Sequence, residues 1–301
     1  LYTPDLHDGR NIEYTTWSDV FACVSCSKPI VYWDVVDSVD GDRVTCPSCG
    51  AVARKAEFRW LDEVPVQTHV SQGSNRISSH SPTDAERDLI SQTSAAPIPY
   101  WVPKGSFGQE REMWRAGHKA MGISSVCDFY TRRNLHALAA LRHAIVTVAD
   151  GRIREALLFA FTACANRASK RYQWNAKRPT NVMSGTLYVS SLRYEWNVWS
   201  LFRRKAADLM RYYAAFPNTT TQAQVFQRSA TNLDCVATDA VDFVFMDPPF
   251  GSNIFYADSS LLWDAWLGTL TDQAAEIVIN KHRPRHAGGK NVTEYGELMT
   301  Q

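Results

Sequence analysis

Apolar positions recur at helical spacing in two adjoining stretches. Leu135, Leu138, Leu141, Ile145 and Val148 predict a helix over Cys127 to Asp150, with Thr131 as its N-cap. Asp150-Gly151 breaks it, and Ile153, Leu157, Leu158, Phe161 and Cys164 mark one face of a second. Trp196, Trp199, Leu201, Phe202 and Leu209 predict a third over Glu195 to Ala214, after a strand over Gly185 to Leu192. Val225-Phe226 is strand-like. Val241 to Met246 is a continuous apolar run of β-branched and aromatic residues, the composition of a strand buried on both faces of a parallel sheet. Asp247 falls at its end, and Pro248 and Pro249 forbid further pairing. Phe250 and a permissive Gly251 follow, then an amphipathic helix over Leu261 to Leu267. Lys281 to Lys290 reads as a basic, Gly-rich mobile loop, and Glu294 to Gln301 as a helix.

The front of the chain is less periodic. Residues 1–21 are polar and mixed, and lead into Cys23-Val24-Ser25-Cys26. After nineteen intervening residues comes Cys46-Pro47-Ser48-Cys49. This spacing is that of a four-thiolate zinc ribbon, in which each knuckle presents two sulfurs and two knuckles close a tetrahedron. With sulfur at all four positions no site is left for water, so such a metal is structural. Two buried cysteine pairs or a redox site are the other readings of the spacing. Ile30 to Trp33 and Arg43 to Thr45 are expected to form strands around an Asp40-Gly41 turn, and residues 51–66 to complete the module. Gln67 to Thr93 reads as an exposed linker, and Ala95 to Pro103 as an extended segment lying across another surface.

Composition narrows the setting. With 301 residues, 45% of them apolar, the chain can bury a core, and no apolar run or leader predicts membrane insertion or export. Seven cysteines, two close pairs plus Cys127, Cys164 and Cys235, point to a reducing, cytoplasmic compartment rather than a disulfide framework. A net charge of +1 gives no global pull toward nucleic acid, so contacts must be local. The strongest local candidate is Asn166 to Pro179. There Arg167, Lys170, Arg171, Lys177 and Arg178 flank Tyr172 and Trp174, which suits phosphate neutralisation with base stacking. A solvated charged face is the alternative. The Asp247 carboxylate and the Pro248 carbonyl can accept the two hydrogens of an exocyclic base amine, and Phe250 can stack on an extruded base.

Asp247-Pro248-Pro249-Phe250 resembles the catalytic motif of amino-group DNA methyltransferases. Together with the four cysteines, F-Y-T-R-R-N-L (129–135), G-T-L-Y-V-S-S-L, E-W-N-V and G-S-N-I-F-Y, it resembles bacterial site-specific, adenine-type enzymes carrying a zinc-ribbon insertion. The resemblance implies an α/β, doubly wound Rossmann-like domain and S-adenosylmethionine-dependent methylation of DNA, in restriction-modification or phage defence. It implies catalytic roles for Asp247, Pro248, Pro249 and Phe250, with Asn253 in the substrate pocket and Asp234 near the cofactor. The organisation expected is a zinc-ribbon module over 1–66 and a linker over 67–125. A helical, basic-aromatic region for target recognition covers 126–224, and the catalytic half of the methyltransferase domain 225–301. An RNA methyltransferase and a non-catalytic zinc-ribbon DNA-binding subunit are the rivals. The 15 glycines are dispersed, and Gly288-Gly289 follows no strand, so the glycine-rich cofactor loop of these enzymes has no counterpart. With Leu1 in place of Met and a last residue inside a helix, both ends read as cut. A missing segment or a second chain is therefore expected to supply that loop, and residues 1–301 alone to be inactive.

Overall fold

The computed structural model describes residues 1–2, 11–38, 41–71, 77–175, 186–216, 223–226, 228–229 and 231–300. The chain opens with β1 (Asn11–Ala22), β2 (Pro29–Val31), β3 (Arg43–Thr45), β4 (Val52–Arg54), β5 (Arg59–Ser71) and β6 (Ile77–His80). Helices α1 (Asp84–Ala95), α2 (Ala116–Ala120), α3 (Arg132–Val146) and α4 (Gly151–Arg167) follow. β7 (Leu192–Trp196) precedes α5 (Val198–Ala215), α6 (Tyr256–Ser259), α7 (Leu261–Leu267) and α8 (Val292–Thr300). Helix is about twice as abundant as strand, 38% against 17%, which places the chain in a mixed α and β class. No helix among the described residues is long and apolar enough to cross a membrane.

β1 is the spine of the sheet. It pairs along its length with β5, and on its other edge with β7 through Tyr14 to Ser18 and with β2 through Val20 to Ala22. β6 extends β5, and β3 and β4 form a separate hairpin. Pro65 lacks an N–H for the ladder and sits at a bulge, where Thr16 faces Gln67 and Trp17 faces Pro65. Thr15, Thr16, Ser18 and Asp19 of β1 are buried although polar. Buried side chains explain how: Asp19 meets the Arg193 guanidinium at 2.8 Å, and Trp60 Nε1 donates to the same oxygen at 3.0 Å.

The helical predictions at the centre hold. Thr131 caps α3 by accepting from Asn134 N, and Asp150 caps α4 through Arg152 N and Ile153 N. Leu138 of α3, Phe161 of α4 and Trp266 of α7 meet in the larger core, with Phe129 beneath them. The segment after α1 lies on α3, where Arg142 stacks over Trp101 at 4.0 Å.

Several expectations are corrected. Gln67 to Thr93 is not a linker: it carries the end of β5, β6 and most of α1, whose cap is the reciprocal Thr83–Glu86 box. The strands near Ile30 and Arg43 do not pair with each other, because β2 joins β1 and β3 joins β4. The strand expected over Gly185 to Leu192 forms instead at Leu192–Trp196, so Glu195 and Trp196 belong to the sheet and α5 starts after Asn197. Every strand pair is antiparallel, so the doubly wound parallel sheet is not formed among the described residues. Val241 to Met246 forms no strand and stands exposed, Phe245 at 85%, as do Val225 and Phe226. A strand apolar on both faces needs hydrogen-bonded neighbours on both edges, and none of the described strands reaches it. The 281–290 loop is pinned: Glu112 accepts from His282 N and Arg283 N, each at 2.9 Å. The sheet also crosses the boundary expected at residue 66, since β7 pairs with β1.

Candidate functional site

Two sites carry explicit chemistry. The first is the four-cysteine cluster. Cys23 and Cys46 each open a tight loop of the same design. Cys23 N donates to Lys28 O at 2.9 Å and Ser27 N returns to Cys23 O at 3.0 Å. Cys46 N donates to Ala51 O at 2.8 Å and Gly50 N returns to Cys46 O at 2.9 Å. Each loop closes through a left-handed residue, Ser27 at φ 59° and Gly50 at φ 73°. The buried Cys23 and Cys46 of the two loops belong to a small core with Phe21, Ile30, Val35, Val44 and Phe58.

The sulfurs of Cys23, Cys26, Cys46 and Cys49 lie within 4.8 Å of one another. Cys23 and Cys49 are 3.7 Å apart and Cys26 and Cys46 3.8 Å, far beyond a disulfide bond. Sulfurs at the corners of a tetrahedron around zinc, with Zn–S near 2.3 Å, are separated by about 3.8 Å. The donor set thus fits such an ion. Amide hydrogen bonds from Cys26 and Ser25 lower the Cys23 thiol pKa to about 6, whereas at Cys49 the Ala51 amide is outweighed by the neighbouring cysteines, which raise it to about 11.

The second site is the Asp247 to Phe250 stretch. Asp247, Pro248 and Phe250 are exposed, Phe250 at 65%. Its far side is anchored. Tyr295 of α8 donates its hydroxyl to Pro249 O at 2.6 Å, Ile279 N donates to Gly251 O at 3.0 Å, and Asn253 N closes a turn onto Phe250 O at 3.1 Å. The helices behind it are fastened to the body by buried charge. Asp258 of α6 takes Arg111 at 3.0 Å, Met113 N at 2.8 Å and Gln273 Nε2 at 3.1 Å. The motif is therefore an exposed turn whose carboxylate and aromatic ring are open to solvent and whose backbone is held at Pro249 O, Phe250 O and Gly251 O. Asn253 is exposed beside it. Asp234 lies elsewhere in its own segment, in an ion pair with Arg228.

The basic-aromatic stretch is corrected in part. Lys170 is paired with Glu63 at 2.9 Å. Arg171 is 5% exposed, bonded to Asn166 Oδ1 at 2.8 Å and to Thr186 O at 2.6 Å, and burial pushes its pKa down to about 10. Tyr172 is buried, and Trp174 packs edge-on against Trp33 at 4.7 Å. Lys170 fastens the end of α4 to the sheet through Glu63 of β5, while Arg171 finds its acceptors inside, on α4 and in the segment before β7. Arg167 remains exposed. Lys177 and Arg178 lie outside the described residues.

Two interior networks escaped the sequence reading. Arg133, from F-Y-T-R-R-N-L, is 2% exposed and paired with Glu195, from E-W-N-V. Trp17 Nε1 adds a bond to Glu195 at 2.8 Å, Thr131 adds another, and Arg133 also reaches Thr15 Oγ1 at 3.0 Å. Beside it, Arg193 bridges Asp19 and Glu63. Burial pushes the Glu63 carboxyl up, but Arg193 and Lys170 outweigh it and hold it at about 2. Both motifs were visible as strings, but nothing in either predicted that they bind each other.

No protein-family model, curated protein or solved structure matches this chain.

Proposed function

We propose that the chain carries the target-base side of an amino-group DNA methyltransferase, acting on adenine, with a zinc ion ordering its four-cysteine module in a ribbon-like fold. The observation that carries the reading is the Asp247 to Phe250 turn, exposed on its reactive side and clamped behind through Pro249 O and Gly251 O. An exocyclic amine is a weak nucleophile because its lone pair is delocalised into the ring. Asp247 accepts one amine hydrogen, the Pro248 carbonyl accepts the other, and the lone pair is drawn out of conjugation. Phe250 stacks on the extruded base and holds its plane. The clamp keeps these groups in register, which is the positioning such a reaction needs.

The methyl donor implied by the resemblance is S-adenosylmethionine. The described residues do not form a site for it: they include no parallel strand ending in a glycine-rich turn, and Asp234 is engaged by Arg228. That observation favours a second reading, a zinc-ordered DNA-binding subunit without activity of its own. Labelled methyl transfer to DNA by the polypeptide as expressed from its gene separates the two. N6-methyladenine in digested DNA supports the first reading, and DNA binding without any methylated nucleoside supports the second.

A further inference from the structure

Three stretches take no part in the target-base site: the run around Trp17, F-Y-T-R-R-N-L and E-W-N-V. In the fold they converge on one cleft of about 650 Å³, between β1 and β5, α1, and the first turn of α3. Trp17, Thr131, Arg133 and Glu195 line one part of it, and the Lys170–Glu63 pair another. Enclosing ion pairs costs desolvation that apolar packing of the same volume would avoid. Two such pairs bordering one open space mark it as suited to a charged occupant.

The lining also gives that occupant a direction. Arg87 of α1 and Arg132 of α3 are exposed lining residues. Arg132 donates one N–H to Ala96 O at 3.1 Å, and neither guanidinium is in an ion pair among the described residues. The amides of Arg132 and Arg133 open a 15-residue helix and have no carbonyl within it to bond. Guanidiniums and helix-start amides together recognise phosphate. Asp62 also lines the cleft, and its carboxylate takes the Glu63 amide at 2.8 Å. A carboxylate there accepts N–H or O–H groups. The volume is that of a small-ligand site.

We infer that this cleft binds a phosphate ester of nucleotide size, with its phosphate at Arg87, Arg132 and the start of α3 and its base or sugar donors toward Asp62. The ester comes either from a free nucleotide or from one step of a nucleic-acid strand. The inference rests on the methyltransferase reading only in that a nucleic-acid substrate brings such esters.

The test is anisotropy of a labelled single-stranded oligonucleotide, without methyl donor, with adenosine monophosphate and inorganic phosphate as competitors. The wild-type chain binds the strand. Arg87→Ala with Arg132→Ala weakens binding by about tenfold or more and lowers the log–log salt slope by about 0.7, for the one phosphate no longer neutralised on a single strand. Arg203→Ala, outside the cleft, leaves affinity and slope essentially in place. Both cleft arginines are exposed, so an unchanged melting temperature verifies that the double variant folds. Displacement by adenosine monophosphate and not by phosphate assigns the site to a free nucleotide, and resistance to both assigns it to a strand. Unchanged affinity and slope in the double variant overturn the inference, as does a wild-type chain that binds no probe. Neither outcome touches the Asp247 reading, which is judged by methyl transfer alone.

Discussion

The four-cysteine cluster and the Val241 to Phe250 stretch are the most explicit motifs in the chain, and the fold treats them in opposite ways. The cysteines bring their own surroundings. Both loops, the small core and all four sulfurs come from Phe21 to Phe58, so a metal needs nothing from the rest of the molecule. The apolar run before Asp247 brings only itself. Its turn is clamped by Tyr295 and Ile279, while the run leading into it stands exposed. A metal loop encodes its geometry in local spacing, whereas a doubly buried strand encodes only a demand for neighbours.

The largest expected effect is on the self-sufficient side. Chelation, or Cys46→Ser, should remove one bound zinc and with it on the order of 10 kcal/mol of local folding free energy. Hydrogen exchange then shows residues 23–58 losing protection while α3 and α4 keep theirs. Metal analysis finding no zinc in the wild-type protein would break the comparison at its first term.

Next in size is the buried Arg133–Glu195 pair, the counterpart of the cysteines in the larger core. Glu195→Ala strands a guanidinium inside the protein and should cost about 3–5 kcal/mol in denaturant unfolding. Replacing both partners with methionine should recover most of that loss. A double variant no more stable than Glu195→Ala would assign the cost to packing rather than charge.

The sheet adds a pH signature of its own. His69 stacks on Tyr14 at 4.1 Å, and burial, reinforced by His80, lowers its pKa from 6.5 to about 4. The unfolded chain therefore takes up the proton first. This contribution is complete above pH about 6.5 and falls away as pH drops toward 4, by about 3 kcal/mol unscreened and on the order of 2 kcal/mol once solvent screening is allowed for. Urea titrations of wild type and His69→Gln across that window should show the slope in the first and its loss in the second.

The smallest effect belongs to the segment itself. Phe245→Asp should change stability by no more than about 0.5 kcal/mol, as for other unpacked surface positions. A loss typical of core residues would mean that the run packs in solution.

What the sequence disclosed follows the same division. The cap at Thr131, the helix boundary at Asp150, the helical spacing around them and the pairing of the four cysteines were all legible, because each depends on residues a few positions apart. α1 was legible too, since Thr83-Asp84-Ala85-Glu86 has the form of a capping box, but a polar neighbourhood disguised it. β1 was not legible. Thr15, Thr16, Ser18 and Asp19 are polar, and Trp60 and Arg193, distant in sequence, supply the partners that make Asp19 an interior residue. Glu195 and Trp196 fitted a helical pattern, yet pairing with β1 draws them into the sheet and leaves Asn197 as the cap of α5. Arg171 and Tyr172 looked like a nucleic-acid surface for a related reason: the string does not say which acceptors fold over them.

The most direct measurement is methyl transfer to DNA by the polypeptide as expressed from its gene, comparing wild type, Asp247→Ala, Phe250→Tyr and Phe250→Ala at equal zinc content. Asp247→Ala should abolish N6-methyladenine formation. Phe250→Tyr should be tolerated, and Phe250→Ala should lose the stacking worth roughly 1–3 kcal/mol. Methylation by Asp247→Ala at the wild-type rate would contradict the assignment.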